Sequence, residues 1–306
     1  MLTSGTVIIP TYNRSHLLAL TLESLAAQDL PREAFDVIVV DDGSSDDTAQ
    51  TAGRYREKLR LSYHFQPDEG YRGARARNVG IEHATGDVCI FVDDGVLLHS
   101  GAVAAHLAAH GQARPTAVIG YVYGFALDDA GADEIRAAAD GVDADTAIAR
   151  LAQAGRCLDF REEFYGKYTD DFADLPAPWP VYWTCNVSAG TEQLRRLGGF
   201  DEDLQSWGGE DIDLGYRLHR DGARFVLERG AASLHYPHPK SKGANMWSSY
   251  VNYRRIAEKY NTPITQLLLP LPTINPFNLN DVIRLLELPS CAEFEKATPG
   301  GLFGDD

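Results

Sequence analysis

Three pairs of adjacent acidic residues are the first candidates for chemistry in this sequence: Asp41-Asp42, Asp93-Asp94 and Glu210-Asp211. Neighbouring carboxylates repel each other, so such a pair is costly unless a cation or a hydrogen-bond donor lies beside it. Each pair is therefore compatible with two interpretations. It is either a turn that caps a helix or a site that holds a cationic or hydroxylated ligand.

Asp93 and Asp94 follow the apolar run from Val88 to Val92, which predicts a buried strand. Carboxylate oxygens suit Mg²⁺ or Mn²⁺, and such an ion can bridge a diphosphate. A capping turn is the competing interpretation. His235, with His238 nearby, ends the last predicted strand. A lone histidine is usually structural, but beside two carboxylates it is a candidate third metal ligand.

Glu210 and Asp211 follow Trp207-Gly208-Gly209 and open a predicted helix. The positive end of the helix dipole favours ionised carboxylates, which suits a general base or an acceptor of hydrogen bonds from sugar hydroxyls. The two glycines would allow the backbone to approach a ligand closely. The alternative is that the acids only complement the helix dipole.

Asp41-Asp42 ends another β-branched run, where a carboxylate can accept hydrogen bonds from a nucleobase or a ribose; a helix-capping turn is as good an interpretation. The segment 68–80 concentrates positive charge at Arg72, Arg75 and Arg77. Arginine suits the geometry of phosphate, although a solvated helix start would also carry such residues.

The first hundred residues alternate apolar strands with helical patterns, so we expect an α/β fold with a mostly parallel central sheet flanked by helices. In such sheets ligands bind at the carboxyl ends of the strands, where the acidic pairs lie. The predicted strands are Val7–Ile9, Phe35–Val40, Leu61–Phe65 and Val88–Val92, and the predicted helices are 15–28 and 75–84.

The second half is predicted to contain an insertion, a return to the sheet and a helical C-terminal extension. We expect residues 1–240 to form the catalytic unit and 241–306 the extension with a loose tail. The insertion and the long amphipathic helix are candidates for a lid or a homodimer interface. The segments are an insertion at 127–156, strands at 181–188 and 225–235, helices at 245–260 and 281–288, and a proline-rich loop at 263–276.

Composition excludes several classes of function. Lys plus Arg is 28 and Asp plus Glu is 44, so the net charge is −16, unlike that of a nucleic-acid-coating protein. No apolar run is long enough to span a membrane. The four cysteines are widely spaced and favour reduced thiols in a cytoplasmic protein.

The motifs taken in order resemble those of the family 2 nucleotide-sugar glycosyltransferases of GT-A fold, over roughly residues 5–240. The last motif is also similar to the acceptor-side motif of β-galactosyltransferases. The matching segments are Pro10-Thr11-Tyr12-Asn13-Arg14, Asp41-Asp42-Gly43-Ser44, Ala76-Arg77-Asn78-Val79-Gly80, Val92-Asp93-Asp94, and Gly198-Gly199-Phe200-Asp201 with Trp207-Gly208-Gly209-Glu210-Asp211.

The resemblance implies a role for each of these residues. Asp211 would be the catalytic base, and Glu210 would hold a sugar hydroxyl. Asp94 would be the likelier direct ligand of Mn²⁺ or Mg²⁺, with Asp93 and His235 beside it. Gly95 stands where many relatives have a third aspartate, so the ion's ligands are less certain. The nucleotide-sugar would be bound by Thr11, Tyr12, Arg14, Asp41, Asp42, Arg72, Arg77, Asp93, Trp207, Gly208 and Gly209.

The resemblance further implies an inverting, metal-dependent transfer of sugar from a UDP- or GDP-sugar to a small-molecule or glycan acceptor. Tyr182, Trp183 and Trp207 could line the acceptor site or belong to the core. Two other functions stay open. One is a flavin-independent nucleotide-sugar mutase on the same scaffold, since no flavin-type GxGxxG occurs. The other is a non-catalytic sugar-nucleotide binding module.

Overall fold

The computed structural model describes residues 3–111, 114–126, 131–239 and 242–297. Eight strands form one sheet in the order β3-β2-β1-β4-β7-β6-β8-β5. The strands are β1 Gly5–Thr11, β2 Phe35–Asp41, β3 Leu61–Phe65, β4 Val88–Val92, β5 Val96–Leu98, β6 Thr116–Tyr123, β7 Asn186–Gly190 and β8 Arg224–His235.

The first four strands are parallel, as are β6 and β8. Strand β7 runs antiparallel between β4 and β6, and β5 pairs antiparallel with β8. The sheet is therefore mostly parallel, and the predicted α/β class is confirmed. The reversal at β7 places the residues before that strand at the same edge as the carboxyl end of β4.

Thirteen α-helices in the described part of the chain surround the sheet, and two 3₁₀ turns at 32–34 and 179–181 accompany them. No helix of this part is both long and apolar enough to cross a lipid bilayer. The helices are α1 Ser15–Ala26, α2 Thr48–Arg54, α3 Gly73–His83, α4 Ala102–Ala109, α5 Ala132–Ala139, α6 Ala144–Ala154, α7 Glu162–Tyr168, α8 Thr191–Arg196, α9 Glu210–Arg220, α10 Lys242–Tyr260, α11 Pro263–Gln266, α12 Leu279–Leu285 and α13 Cys291–Ala297.

Alternating side chains of the central strands supply two separate cores, one on each face of the sheet. Ile8 and Phe91 pack on one face, whereas Val7, Ile9 and Ile90 pack on the other. This period of two, with apolar residues at every position, explains why these strands are buried on both sides.

The sequence-based description needs several corrections. The strand expected at 181–188 begins only at Asn186, because prolines at Pro178 and Pro180 support a 3₁₀ turn instead. Strands β5 and β6 and helices α4, α7 and α13 were not predicted. The segment 263–276, expected to be a proline-rich loop, begins with helix α11, because Thr262 caps it and Pro263 takes its first position. The expected insertion contains α5 and α6, while residues 127–130 and the tail from 298 lie outside the described residues.

The C-terminal extension packs into the main core. Ile256, Tyr260, Ile264 and Leu279 belong to the same apolar cluster as Phe91 of β4. Helix α10 also runs back across the loop that precedes α9. The extension therefore contributes directly to the edge of the sheet where the acidic pairs lie.

Candidate functional site

Asp94 lies in the turn after β4, and residues at the end of β1 hold its carboxylate. Thr11 Oγ1 donates a hydrogen bond to Oδ2 over 2.8 Å, and Arg14 Nη1 lies 3.1 Å from Oδ1. The residue is only 4% exposed, and this burial raises the pKa of its carboxyl group to about 6. Both oxygens of Asp94 thus contact residues of the motif at the end of β1, Thr11 and Arg14.

Arg77 joins two of the three acidic pairs. Its Nη2 lies 2.9 Å from Asp93 Oδ1, and its Nη1 lies 3.3 Å from Glu210 Oε1. The side chain is buried, which lowers the pKa of the guanidinium, but the charges of Asp93 and Glu210 raise that pKa by more. A permanently charged arginine therefore holds the turn after β4 against the start of α9.

Asp211 has a different environment from the other carboxylates of the site. The backbone N–H of Ile212 donates to its Oδ1 over 2.8 Å, and no ion pair of the described residues includes it. Burial and, to a smaller extent, the neighbouring charge of Glu210 together raise the pKa of its carboxyl group to about 7. Such a carboxylate exchanges its proton near neutral pH, as a general base must.

The two interpretations of the Asp41-Asp42 pair, a capping turn and a binding site, apply to different members of the pair. Asp41 accepts hydrogen bonds from the Tyr63 hydroxyl at 2.6 Å and the Ser44 backbone N–H at 2.7 Å, so it stabilises the turn. Asp42 accepts from the backbone N–H of Arg72 at 2.9 Å, and Arg72 Nε lies 3.5 Å from it. The structure therefore pairs Asp42 with Arg72 and leaves Asp41 in a capping role.

Tyr12 lies at the rim of this edge and is 45% exposed. Its hydroxyl donates to Asp68 Oδ2 over 2.9 Å, which fixes the ring while leaving a face open. The hydrogen bond to Asp68 raises the pKa of the hydroxyl, so it stays protonated. An exposed, oriented ring is suited to stacking on a flat ligand.

The two glycines before α9 leave room for helix α10 to pack closely. Gly208 and Gly209 have φ values of +84° and +107°, which favour glycine. A Cβ on Gly208 would lie 2.5 Å from Ser249 Oγ, and one on Gly209 would lie 3.0 Å from Asn252 Cβ. The close approach that the two glycines permit is therefore to a protein helix.

Asn252 connects α10 to the loop at Gly208 and Gly209, which we call the glycine loop. Its Nδ2 donates to the Gly208 carbonyl at 2.7 Å and to the Ser206 carbonyl at 3.1 Å. Ser248 Oγ donates to the carbonyl of Trp207 at 2.8 Å. Because Asn252 is fully buried, these bonds hold the start of α9 in one position.

His235 is close to the turn after β4 through its backbone. It pairs with Val96 across β5 and β8, and the N–H of the next residue donates to the Gly95 carbonyl. Its ring packs edge-on against Phe125, 5.7 Å between centroids. Within the described ranges no three His, Cys, Asp or Glu side chains form a metal-binding cluster, so the expected set of Asp93, Asp94 and His235 is not assembled.

The three aromatic candidates for an acceptor site separate clearly. Tyr182 is fully buried, so of its two interpretations the structure supports the core. Trp183 packs against Phe125 with 5.4 Å between ring centroids. Trp207 is 40% exposed and sits directly before the glycine loop. Of the three, Trp207 is the exposed one, and it lies four residues before Asp211 in the chain.

Sequence reasoning missed four residues of the site. The Tyr71 hydroxyl lies 3.3 Å from Glu210 Oε1, and Asn78 holds both backbone groups of Phe200. Asn252 and Tyr253 come from α10. The available signal for Asn252 was a polar residue on the inner face of an amphipathic helix. The available signal for Tyr71 was its place inside the arginine-rich segment, next to residues already assigned to the site.

Two family models match the chain. The model for glycosyl transferase family 2 matches residues 6–141, and the model for the N-terminal domain of galactosyltransferase matches residues 168–240. Between them they contain all the residues of the site except those from α10.

Two curated relatives are validoxylamine A glucosyltransferases of Streptomyces hygroscopicus, subspecies jinggangensis and limoneus. Each is 38% identical over 280 residues, which is 91% of this chain. The match covers 66% and 62% of the two relatives, so the chain spans just under two thirds of their length. A chondroitin synthase of Escherichia coli is 28% identical over 76% of this chain and 34% of its own.

Solved structures share the fold. Staphylococcus aureus TarS 1–349 in complex with UDP-GlcNAc aligns with a TM-score of 0.63 at 20% identity, covering 87% of this chain and 70% of that one. The mannosyltransferase PcManGT from Pyrobaculum calidifontis, in complex with GDP-Man and Mn²⁺, aligns with a TM-score of 0.57 at 20% identity, covering 100% and 77%. At this level of identity the likeness concerns the fold alone.

Proposed function

From the premise that this chain belongs to glycosyl transferase family 2 and has its GT-A fold, we propose that it is an inverting glycosyltransferase. It moves a sugar from a nucleoside-diphosphate sugar to a hydroxyl group of a small-molecule or glycan acceptor. One observation carries the proposal: Arg77 holds the Asp93-Asp94 turn against the helix start that bears Asp211. The carboxylates proposed to hold a divalent cation and the helix start with the candidate base thus lie on either side of one buried arginine.

The donor is bound at the carboxyl ends of β1, β2 and β4. The Tyr12 ring and Asp42 with Arg72 hold the nucleoside, because the ring is open and the carboxylate can accept from a base or ribose. Arg77 and the half-exposed Arg14 face the diphosphate, for which guanidinium geometry is suited. Placing cations here offsets the overall charge of −16.

A divalent cation fits this edge as a site of one or two carboxylates. Asp93 keeps 35% of its side chain exposed, and Asp94 lies beside it. Mg²⁺ and similar ions are commonly bound by one or two carboxylates with substrate phosphates completing the shell, so a third protein ligand is not required. When bound, Mn²⁺ or Mg²⁺ neutralises charge on the diphosphate leaving group.

Asp211 takes the proton in the transfer. The acceptor oxygen attacks the anomeric carbon, its proton passes to the Asp211 carboxylate, and the bond from that carbon to the diphosphate oxygen breaks. The nucleoside diphosphate leaves with the bonding electrons, and attack from the opposite face inverts the configuration. Glu210, held by Arg77 and Tyr71, accepts a hydrogen bond from a sugar hydroxyl.

The names of the relatives supply the first candidates for the donor sugar and the acceptor. Since two relatives at 38% identity are named validoxylamine A glucosyltransferases, glucose donors and validoxylamine A are the first substrates to test. UDP and GDP are both candidate nucleotides. A cytoplasmic location and a homodimer stay predictions.

Incubation with Mn²⁺ and a panel of UDP-, GDP- and dTDP-sugars, without acceptor, tests the reaction class. Anion-exchange chromatography with mass detection should show slow release of a free nucleoside diphosphate from one donor. A new peak of unchanged donor mass would instead identify a mutase. No change in any donor, with tight nucleotide binding, would identify a binding module.

A further inference from the structure

Helix α10 carries three aromatic residues at intervals of three: Trp247, Tyr250 and Tyr253. Residues three apart lie on neighbouring parts of one helix face, and each interval advances about 4.5 Å along the axis. The Trp247 and Tyr250 rings are stacked, with 6.0 Å between centroids and 29° between planes. We call these three side chains the aromatic ladder.

The inner end of the ladder lies at the proposed catalytic centre. Tyr253 Cδ1 lies 3.5 Å from the position that a Cβ on Gly209 would occupy, directly before Glu210. Burial raises the pKa of the Tyr253 hydroxyl, and the charges of Asp211 and Glu210 raise it further. The same helix is fixed to the glycine loop through Asn252, so the ladder has a defined position relative to Asp211.

The outer end of the ladder is open. Trp247 is 70% exposed, Tyr250 is 38% exposed, and Met246 beside them is 59% exposed. Apolar exposure on this scale next to a candidate active site indicates a binding surface. After Tyr253 the exposed face of the helix is charged, with Arg254 paired to Glu258. The exposed aromatic surface is therefore confined to the N-terminal half of α10.

Carbohydrate and related polyhydroxylated rings match such a surface. Their axial C–H groups form an apolar face that packs on an aromatic ring, while their hydroxyl groups stay in water. Tyr253 and Trp247 are about 9 Å apart along the axis, roughly the length of two six-membered rings in sequence, and about 120° apart around it, so the ladder winds from the site to the exposed surface. The carbonyl of Trp207 accepts a hydrogen bond from Ser248 beside Trp247, so Trp207 adds a third exposed aromatic near the outer end.

Resting on the proposed function, we propose that Trp247 and Tyr250 form an acceptor subsite that stacks the ring adjacent to the one bearing the reacting hydroxyl. The enzyme then prefers acceptors with at least two rings. Neither residue touches the donor or the reacting atoms. Both are specificity-determining residues that act on acceptor affinity.

Steady-state kinetics with the donor identified by the panel test this subsite. Validoxylamine A is the acceptor probe, and the variants are Trp247→Leu, Trp247→Phe and Tyr250→Leu. The leucine variants should raise the acceptor KM by roughly three- to tenfold, because a stacked ring is lost, with kcat and donor KM as in the wild type. Trp247→Phe should recover most of the affinity.

Leu285→Ala is the matched surface control, since this side chain is 82% exposed on α12. It should change neither KM. An acceptor KM for Trp247→Leu within twofold of wild type would overturn the subsite. Failure of the proposed function looks different, because the wild-type protein would then release no nucleoside diphosphate from any donor.

A direct measurement of acceptor binding tests the subsite even if the protein releases no nucleoside diphosphate. Titration calorimetry with methyl β-D-glucopyranoside, methyl β-cellobioside and validoxylamine A compares one-ring and two-ring probes. The wild type should bind the two-ring probes more tightly, and Trp247→Leu should remove that difference. Equal affinity for one and two rings, or no binding of any probe, would contradict the inference.

Discussion

The turn that bears Asp93-Asp94 and the helix start that bears Glu210-Asp211 contain the same kind of residue pair but differ in their partners. Asp93 and Asp94 each face an arginine, Arg77 and Arg14. At the helix start only one member of the pair has such a partner, because Arg77 reaches Glu210 and not Asp211. The two regions thus differ in that Asp93, Asp94 and Glu210 are anchored by arginines, whereas the carboxylate of Asp211 has no ion-pair partner among the described residues.

Asp211→Asn gives the largest effect expected from this difference. The substitution removes the proton acceptor but breaks no ion pair, so kcat should fall by roughly 10²- to 10⁴-fold while the donor Kd stays unchanged. Stopped assays of product and nucleotide titration measure the two quantities. Retention of full kcat would mean that another group takes the proton.

Arg77→Met tests the link between the two regions. It leaves Asp93 and Glu210 without their shared cation, and we expect a loss of about 3–5 kcal/mol in the free energy of unfolding. Arg75→Met is the matched control, because Arg75 is 50% exposed and its partner Glu202 is 41% exposed, so water can replace the pair. Its cost should be below about 1 kcal/mol. Equal costs in urea denaturation would show that Arg77 is not the central support.

The pH dependence of kcat is the smallest expected effect. Because the pKa of Asp211 is raised to about 7 and the base acts when deprotonated, kcat should rise with pH through this range and level off above it. Glu210→Gln removes a negative charge that raises this pKa, so the rising limb should move to lower pH. A limb that stays in place in Glu210→Gln would assign the titration to another group.

The sequence predicted the parallel half of the sheet well, and the reason is local. Strands β3 and β4 have the predicted bounds, and β1 and β2 differ from theirs by two residues or fewer at each end. The apolar runs of β1, β2 and β4 end at proline or acidic residues, which makes their ends easy to place. Strand β5 is only three residues long, and α4 is mostly alanine, so neither produces a clear pattern. The prolines before β7 were the available signal against an early strand start.

The site was predictable where its residues end strands or open helices. The acidic pairs were identified from such positions and Arg77 from the cluster of arginines around it, whereas Asn252 and Tyr253 were not identified. Their contacts depend on a chain reversal that brings α10 back onto residues 206–209, more than 40 residues earlier in the sequence. The glycines at 208 and 209 were predicted to approach a ligand, and they approach this helix.

The hydrogen bonds from Asn252 to the glycine loop have an evolutionary consequence. The segment matched by the two family models ends at residue 240, yet the loop before Asp211 takes its shape from a helix that lies after it. That helix also presents the aromatic ladder to incoming molecules. Recombination that exchanges α10 between relatives would therefore replace the proposed acceptor surface and the support of the proposed base together, so a new acceptor specificity would arrive with a loop already matched to it.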